Sequence, residues 1–216
     1  MSRHHLLLNP NTREALTAEL VAALAPAAAL PLHGITASFG EPYIASEVSY
    51  AVAGHAALQA WRDHTAAQGP ASAVLVACFG DPGVPALREA AGVPVIGLAE
   101  AAMREAAALG RFGIVTGGPA WNAMLRRLAG GLGIDRLADV EAVPWSGGQL
   151  SDDPTRGVEM LQAGLDALLS RTPDLAAVVV GGAALGGFSA RLRAPAGLHV
   201  IDSLEAGGRW LARAPA

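Results

Sequence analysis

The chain has 216 residues, a formal net charge of −4 at pH 7, and 52% hydrophobic residues. This is enough hydrophobic chain for one large domain or two small ones, and no basic patch of the kind that binds nucleic acid is visible. A single cysteine excludes an intrachain disulfide framework and a zinc ribbon. All 15 basic residues are arginine, so lysine-dependent chemistry, such as a pyridoxal phosphate Schiff base or a Walker P-loop, is also excluded.

The amino terminus predicts no targeting segment, because MSRHHLLLNPNT has only a three-residue apolar run before Asn9. No apolar run approaches the roughly 20 residues of a membrane span. We therefore expect a cytoplasmic protein whose partner is a small-molecule substrate, with neither nucleic acid nor membrane involved.

Short apolar runs alternate along the chain with amphipathic or alanine-rich patterns of helical length. The runs predicted as strands are HLLLN (5–9), LHGITA (32–37), AVLVACF (73–79), VPVIGL (93–98), RFGIVT (111–116), VEAVPW (140–145), AAVVVGG (176–182) and LHVIDS (198–203). Near-continuous apolar strands are typical of a sheet that is covered on both faces. The predicted fold class is therefore α/β, doubly wound, with mainly parallel sheets.

A faint internal repeat links the two halves of the chain. PVIGLAEAAMREAAAL (94–109) is similar to HVIDSLEAGGRWLARA (199–214), and each follows a strand with a small-residue turn. Cys78 lies 18 residues before Ile96, and the same count back from Ile201 leads to Ala183, beside Gly182. The repeat predicts two similar lobes, residues 1–97 plus 200–216 and residues 98–199, with chance similarity in an Ala/Gly-rich chain as the alternative.

Four predicted strands end in small or polar residues that precede a helix. The four turns are LLLNPNT (6–12), VACFGDPG (76–83), IVTGGPA (114–120) and VVVGGAALGG (178–187). Helix amino termini present unpaired N–H groups and a partial positive charge, so converging turns of this kind would hold a carboxylate or an enolate-like anion. Asp81 before Pro82 predicts a helix N-cap, and Asn11 or Thr12 can cap the first helix. Any one of these turns is better explained as an ordinary strand–helix connection, whereas the four together indicate a site.

Cys78 is the candidate catalytic residue, because it lies at the mouth of the second turn. A thiol in this position is expected to have its pKa lowered from about 8.5 and to act as an acid, a base or a nucleophile. The alternative is an inert core thiol. Glu100 and Glu205 are interpreted as helix-opening carboxylates.

The remaining histidine and glycine patterns predict no further site. The six histidines show no metal-ligand spacing, so no metal site is predicted; they are His4, His5, His33, His55, His64 and His199. The glycine-rich segment 181–187 lacks the spacing of a dinucleotide-binding loop.

These motifs resemble the hydantoin racemase branch of the aspartate/glutamate/hydantoin racemase superfamily. The matching stretches are NPNT (9–12), EPYIAS (41–46), ACFGDPG (77–83), PVIGLAEAAM (94–103) and RFGIVT (111–116). The resemblance implies two α/β lobes related by a pseudo-twofold axis, an active site in the cleft between them, and no cofactor. It also implies a homo-oligomer, since such relatives commonly associate, and a pair of cysteines that exchange protons with opposite faces of the substrate.

The chain departs from that pattern at the second cysteine, whose place is taken by Gly182. A glycine has no proton to donate, so two-base racemization cannot operate in the family's way. Thr116 is followed by Gly117 and Gly118, which removes a hydroxyl that the resemblance predicts and would widen the pocket.

The predicted function is cofactor-independent proton transfer at an activated α-carbon of a small carboxylate or hydantoin, with Cys78 as the single acid/base. The alternatives are a decarboxylase of malonate-type substrates, similar to the single-cysteine arylmalonate decarboxylases, a maleate-isomerase-like enzyme, and a non-catalytic small-molecule binder. The predicted substrate-binding residues are Asn11, Thr12, Phe79, Gly80, Asp81, Thr116, Gly117, Gly182 and Ala183.

Overall fold

The structure, a computed structural model, describes residues 3–215. Eight strands are present in this part of the chain, one at each apolar run of the sequence. They are β1 (His5–Asn9), β2 (Leu32–Thr36), β3 (Ala73–Val76), β4 (Val95–Gly97), β5 (Phe112–Gly117), β6 (Leu137–Val143), β7 (Ala177–Gly181) and β8 (His199–Asp202).

Helices connect successive strands, as a parallel sheet requires. They are α1 (Glu14–Leu24), α2 (Glu47–Gln68), α3 (Val84–Ala91), α4 (Leu98–Leu109), α5 (Trp121–Gly131), α6 (Gly147–Asp152), α7 (Pro154–Arg171) and α8 (Ser203–Arg213). Short 3-10 turns follow β7 at Ala183–Leu185 and Ser189–Arg191. Within residues 3–215, no helix combines the length and the hydrophobicity needed to cross a lipid bilayer.

The chain divides into two compact units, residues 1–98 with 207–216 and residues 99–206. The first contains a sheet of strand order β2-β1-β3-β4 and the second a sheet of order β6-β5-β7-β8, and every strand pair is parallel. The same order in both sheets confirms the predicted α/β class with two similar halves.

The second unit boundary differs from the predicted one at residue 200. Strand β8 pairs with β7, from Ala177 beside His199 to Val180 beside Asp202, so it belongs to the second sheet. The chain returns to the first unit only inside α8, where Gly207 lies close to Leu75 and Leu98. The repeat correctly related β8 to β4, but strand pairing places β8 in the unit of its own sheet.

Each sheet is buried on both faces, which explains why its strands lack polar alternation. In the first unit, Leu6, Leu8, Val74 and Val76 pack with residues of α2, while the intervening Leu75 is also fully buried. In the second unit the face packed against α7 contains Val115, Val143, Val178 and Val180, together with Leu161, Leu165 and Leu168 of the helix. Burial on this scale fixes the strand ends that carry the candidate site.

Candidate active site

The order of the strands locates a switch point in each unit. The chain leaves β1 toward β2 on one side and leaves β3 toward β4 on the other, and β5 and β7 repeat this arrangement. In open α/β sheets, ligands bind outside the carboxyl ends of the two strands at such a switch point. The four turns singled out in the sequence follow these four strands, two in each unit.

Cys78 lies at the carboxyl end of β3, at the switch point of the first unit. The sheet hydrogen bonding continues to Ala77, whose N–H donates to the Leu8 carbonyl at 2.8 Å. The Cys78 carbonyl then accepts a hydrogen bond from the Asp81 N–H at 3.2 Å, which closes a tight turn. The Cys78 residue is 8% exposed. The thiol is therefore held in a closed turn rather than displayed on a loop.

Contacts with α2 fix the rest of this turn. The Tyr50 hydroxyl donates to the Gly80 carbonyl at 2.8 Å. Gly83 has φ of +81° and lies so close to α2 that a Cβ there would come within 2.9 Å of the Gly54 carbonyl oxygen. Gly83, not Asp81, is the N-cap of α3, so the predicted capping role of Asp81 is wrong. Close backbone approach, which no local pattern reveals, decides where this helix begins.

Asp81 itself occupies a left-handed conformation with φ of +61°, the only positive φ of a non-glycine residue within residues 3–215. Aspartate tolerates this region better than most residues. Asp81 is 2% exposed, and its carboxyl group lies where a side chain on Gly97 would be. The turn therefore buries a carboxylate close to Cys78, in space that β4 leaves open by having glycine at its end.

The pKa of the Cys78 thiol is raised, chiefly because burial disfavours the thiolate and secondly because of the negative charge of Asp81. The predicted lowering of this pKa is therefore wrong. The sequence suggested the partial positive charge of a helix end, whereas desolvation and a neighbouring carboxylate dominate in the folded unit. The thiol is protonated near neutral pH, which makes it a proton donor in the ligand-free protein.

We expect iodoacetamide to label Cys78 slowly near neutral pH, and Asp81→Asn to speed that labelling by up to about tenfold, since the charge of Asp81 is the smaller of the two causes of the raised pKa. Each unit by which a pKa falls raises the thiolate fraction about tenfold below the pKa. Asparagine keeps the shape of aspartate and accepts positive φ, so the variant removes the negative charge with little change in shape. The measurement is the labelling rate between pH 7 and pH 10, which should rise with pH throughout.

Asp63→Asn is the matched control, because Asp63 lies in α2 of the same unit and its carboxylate accepts a hydrogen bond from Gln59 at the surface. This control should label like the wild type. Fast wild-type labelling with a plateau near pH 7 would show instead that the thiol is activated in the ligand-free protein.

The turn after β1 is built around Asn9, which is fully buried. Its Nδ2 donates to Asn11 Oδ1 at 2.9 Å and to Thr17 Oγ1 at 3.0 Å, and the Thr17 hydroxyl lies 2.6 Å from that of Thr36. Asn11 Oδ1 also accepts the Arg13 N–H at 3.0 Å. The side chains of Asn9, Asn11, Thr17 and Thr36 thus form one hydrogen-bonded network.

The network orients Asn11 by using its carboxamide oxygen. Within the described residues its Nδ2 group has no hydrogen-bond partner, so these donors remain for a ligand. Helix α1 begins at Glu14 with Arg13 as N-cap, so neither Asn11 nor Thr12 is its N-cap, as the sequence had suggested. The Thr12 N–H donates to the Glu41 carbonyl at 3.4 Å.

In the second unit, the hydroxyl group at the end of β5 is hydrogen-bonded within the unit. The Thr116 hydroxyl is buried and donates to the Gly181 carbonyl at 2.7 Å, so it ties β5 to the end of β7 and can only accept a further hydrogen bond. A Cβ on Gly117 would come within 2.6 Å of the Trp145 carbonyl oxygen. Gly117 therefore permits close packing inside the unit and does not widen a pocket on that side.

Strand register identifies Gly182 as the counterpart of Cys78. Leu75 pairs with Ile96 in the first sheet, and Val179 pairs with Ile201 in the second. Cys78 lies three residues after Leu75, and Gly182 lies three residues after Val179. Counting along the sequence had led to Ala183, the next residue. Gly182 has φ of +149°, a region that side chains disfavour, so its backbone differs from that of Cys78.

We expect Gly182→Cys to destabilise the protein by about 1–3 kcal/mol, the usual range for a side chain in a disfavoured backbone region. A Cβ there would also lie 2.9 Å from Cδ1 and Cγ of Leu185, which is buried. The free energy of unfolding in urea is the measurement. Gly197→Cys is the control, because Gly197 has φ of +87° with open space around its Cα. An equal loss of unfolding free energy in both variants would show that the Leu185 contact contributes nothing.

A second buried carboxylate, Asp202, was missed by the sequence interpretation. Its Oδ2 accepts hydrogen bonds from the Gly187 N–H and the Ser189 hydroxyl, both at 2.9 Å, and its Oδ1 accepts the Leu204 N–H at 2.9 Å. Ser203 accepts the Gly182 N–H at 3.2 Å. Asp202 occupies the register position of Gly97. Each unit therefore has a buried carboxylate at the end of its last strand. In the first unit it comes from the turn after β3, and in the second unit it belongs to β8 itself.

The sequence predicts two helix-opening carboxylates, and the structure distinguishes them. Glu100 is buried in the first turn of α4 and pairs with Arg104 Nε at 2.7 Å. Glu205 is exposed in the first turn of α8. Both fit the helix-dipole interpretation.

The protein therefore consists of two parallel α/β units with the same strand order. A buried thiol lies at one switch point and small-residue turns lie at both, which is where α/β proteins bind ligands. A family model described as Asp/Glu/Hydantoin racemase matches residues 6–209. The chain therefore belongs to the Asp/Glu/Hydantoin racemase family.

The most informative relatives are racemases. A hydantoin racemase of Paenarthrobacter aurescens is 30% identical over 209 residues, covering 94% of this chain and 87% of that protein. A hydantoin racemase of a Pseudomonas strain is 34% identical over 141 residues, which span 64% of this chain and only 56% of the relative's length.

Solved structures with similar folds also include a racemase. Allantoin racemase from Klebsiella pneumoniae superposes with a TM-score of 0.85 at 28% identity, over 98% of this chain and 87% of that one. A mutant of arylmalonate decarboxylase shares the fold alone, with a TM-score of 0.70 at 18% identity, over 99% of this chain and 92% of that one. The family match and the hydantoin and allantoin racemase relatives support an isomerase of the racemase type.

Proposed function

We propose that this protein transfers protons at the C5 carbon of a 5-substituted hydantoin, with Cys78 as the proton-transfer group. The observation that carries the proposal is the position of Cys78 at a switch point of a racemase-family chain, protonated beside a rigid turn. The arginine-only basic composition agrees with chemistry that uses no lysine Schiff base.

The substrate class is inferred from what the relatives are named for. Two are hydantoin racemases and one is an allantoin racemase. Allantoin is itself a hydantoin with a ureido group at C5, so one ring is common to all three. That ring carries a carbonyl next to the C5–H bond, and loss of the C5 proton leaves an enolate whose negative charge lies largely on this oxygen.

The turns supply groups suited to such an anion. Asn11 offers its Nδ2 hydrogens, held in place by the hydrogen bonds of its carboxamide oxygen. Backbone N–H groups at Phe79 and Gly80, in the same unit, are the further proposed donors. Donors positioned before reaction stabilise a developing oxyanion without reorganising.

The raised pKa of the Cys78 thiol favours proton donation over proton removal. The protonated thiol gives its proton to C5 of the enolate and becomes a thiolate, which must recover a proton from solvent or from the next substrate. The reverse step, removal of the C5 proton, needs the thiolate that burial and Asp81 disfavour. Inversion further requires a proton from the opposite face, and the chain has no second cysteine to supply it. Water is the proposed donor, so racemization should be slow.

Decarboxylation is the second candidate, and the same two features favour it. Loss of carbon dioxide from a malonate-type substrate creates the carbanion without any base, so a single protonated thiol completes the reaction by delivering one proton to one face. The arylmalonate decarboxylase likeness shows the shared fold only. The choice between the two reactions therefore depends on the substrate that the protein accepts.

Proton NMR in deuterium oxide tests both candidates in one experiment, with a panel of 5-substituted hydantoins, allantoin, aspartate, glutamate, an arylmalonate and maleate. Deuterium at C5 of a hydantoin, with chiral analysis showing inversion, is the result expected of the racemase proposal. Replacement of a carboxylate by deuterium would support the decarboxylase instead. A panel in which ligands protect Cys78 from labelling but none reacts would identify a binding protein and overturn both.

A further inference from the structure

Three histidines from separate elements of the first unit converge at one point. His4 precedes β1, His33 lies in β2 and His64 lies in α2. One ring nitrogen of each lies within 4.8 Å of one from each of the other two. Nε2 of His4 is 2.9 Å from Nε2 of His64, and the His4 and His33 rings stack with centroids 4.2 Å apart.

The fold explains why residues so distant in sequence meet. Leu6 pairs with His33 in the parallel register, and His4 lies two residues before Leu6, so both histidines lie on the same face of the sheet. That face packs against α2 through Ala57 and Trp61. His64 follows Trp61 by three residues, so it lies on the same side of the helix, which brings it to the amino ends of β1 and β2.

We propose that His4, His33 and His64 form a binding site for a late first-row divalent transition-metal ion, with Zn²⁺ as the expected occupant. Three imidazole nitrogens with a solvent molecule in the fourth position are a common zinc ligand set. Zinc–nitrogen bonds of about 2.0–2.1 Å with tetrahedral angles place ligand nitrogens about 3.3 Å apart. The observed separations, from 2.9 Å to no more than 4.8 Å, bracket that value. On binding, the rings would turn so that each lone pair points at the ion.

The three histidines differ in their exposure to solvent. His4 is buried, whereas neither His33 nor His64 is fully buried, which gives an ion a path from solvent. The metal would replace the hydrogen bond that now joins two ring nitrogens.

The histidine cluster lies at the amino ends of the strands, opposite to the carboxyl ends where Cys78 lies. His4 precedes the first residue of β1, while Cys78 follows the last residue of β3, and a five-residue strand spans about 16 Å. A metal here would contact no reacting atom of the proposed chemistry. It would join β1, β2 and α2, and so stabilise the first unit. The sequence interpretation had predicted no metal site, because ligands on three elements leave no local spacing to recognise.

Isothermal titration of the chelator-treated protein with Zn²⁺ tests the proposal. We expect one ion per chain, and His64→Ala and His33→Ala should each weaken binding by at least about tenfold. The control is His55→Ala, which removes a histidine from the same helix outside the cluster, where it contacts Phe39; it should bind like the wild type. No saturable binding by wild type below about 100 μM, or equal weakening by His55→Ala, would overturn the site.

Co²⁺ spectroscopy keeps the proposal falsifiable if a variant folds poorly. Wild-type protein with Co²⁺ should show the intense visible bands of four-coordinate cobalt without a thiolate charge-transfer band. Cys78→Ser should leave these bands unchanged, since the thiol is not a ligand. Weak, six-coordinate bands, or loss of the bands in Cys78→Ser, would contradict a three-histidine site and would leave the proposed proton chemistry untouched.

Discussion

Cys78→Ala is expected to slow deuterium incorporation at the reacting carbon by about 10²–10⁴-fold, the usual contribution of a positioned acid or base. The chain holds a single thiol, so no second cysteine can take over. Substrate binding should persist, because the proposed anion donors are Asn11 and backbone N–H groups that the substitution leaves in place.

The measurement compares the exchange rate at saturating substrate in wild type, Cys78→Ala and Cys78→Ser. Serine is a much weaker acid than cysteine and should recover little of the rate. Asp63→Asn serves again as the folding control and should exchange like the wild type. Exchange that is unchanged in Cys78→Ala would assign the proton transfer to another group and overturn the proposed role of the thiol.

The direction of the pH dependence follows from the same residue. Proton removal needs the thiolate, and the pKa of Cys78 is raised, so exchange on a hydantoin should increase with pH from 7 upward. Decarboxylation needs the protonated thiol and should show no such rise over this range. The two candidate reactions therefore differ in whether their rates rise with pH as well as in their products.

Gly97→Ala is the second change for which we expect a large effect, a loss of about 2–3 kcal/mol in the free energy of unfolding, within the range for overpacking a buried site. The added methyl group would lie 2.6 Å from Cβ of Asp81 and overlap its carboxyl group. Asp81 is buried, so it cannot move aside without disturbing the turn that holds Cys78. Catalytic activity should therefore fall together with stability.

Urea unfolding of Gly97→Ala, the double variant Gly97→Ala/Asp81→Gly and Gly130→Ala tests this contact. Glycine at position 81 removes the obstructing carboxyl group and accepts the positive φ, so the double variant should recover much of the lost stability. Gly130 has open space around its Cα, and alanine there should be neutral or stabilising in α5. A double variant no more stable than Gly97→Ala would refute the contact as the cause.

The strands of both sheets were predictable from sequence, because strands buried on both faces must be apolar throughout. Every observed strand lies at one of the predicted runs, and β1 coincides with its run at 5–9. The repeat of PVIGLAEA and HVIDSLEA was enough to predict two similar halves. Helix starts were less predictable, because α1 and α3 begin beyond their expected caps. For α3 the reason is the close approach of Gly83 to Gly54 in α2.

The residues of the candidate site were proposed from the sequence, whereas the burial that raises the pKa of Cys78 could not be foreseen there. Cys78 and the turns could be located because strand ends precede helices in a fixed order along the chain. The sequence by itself determined the α/β class, the family motifs and the lone thiol.

Tertiary structure alone decided the sign of the Cys78 pKa shift, the burial of Asp81 and Asp202, and the meeting of His4, His33 and His64. Desolvation, the distance between charges and the convergence of side chains all depend on which elements pack together in space. Spacing along the chain records none of these.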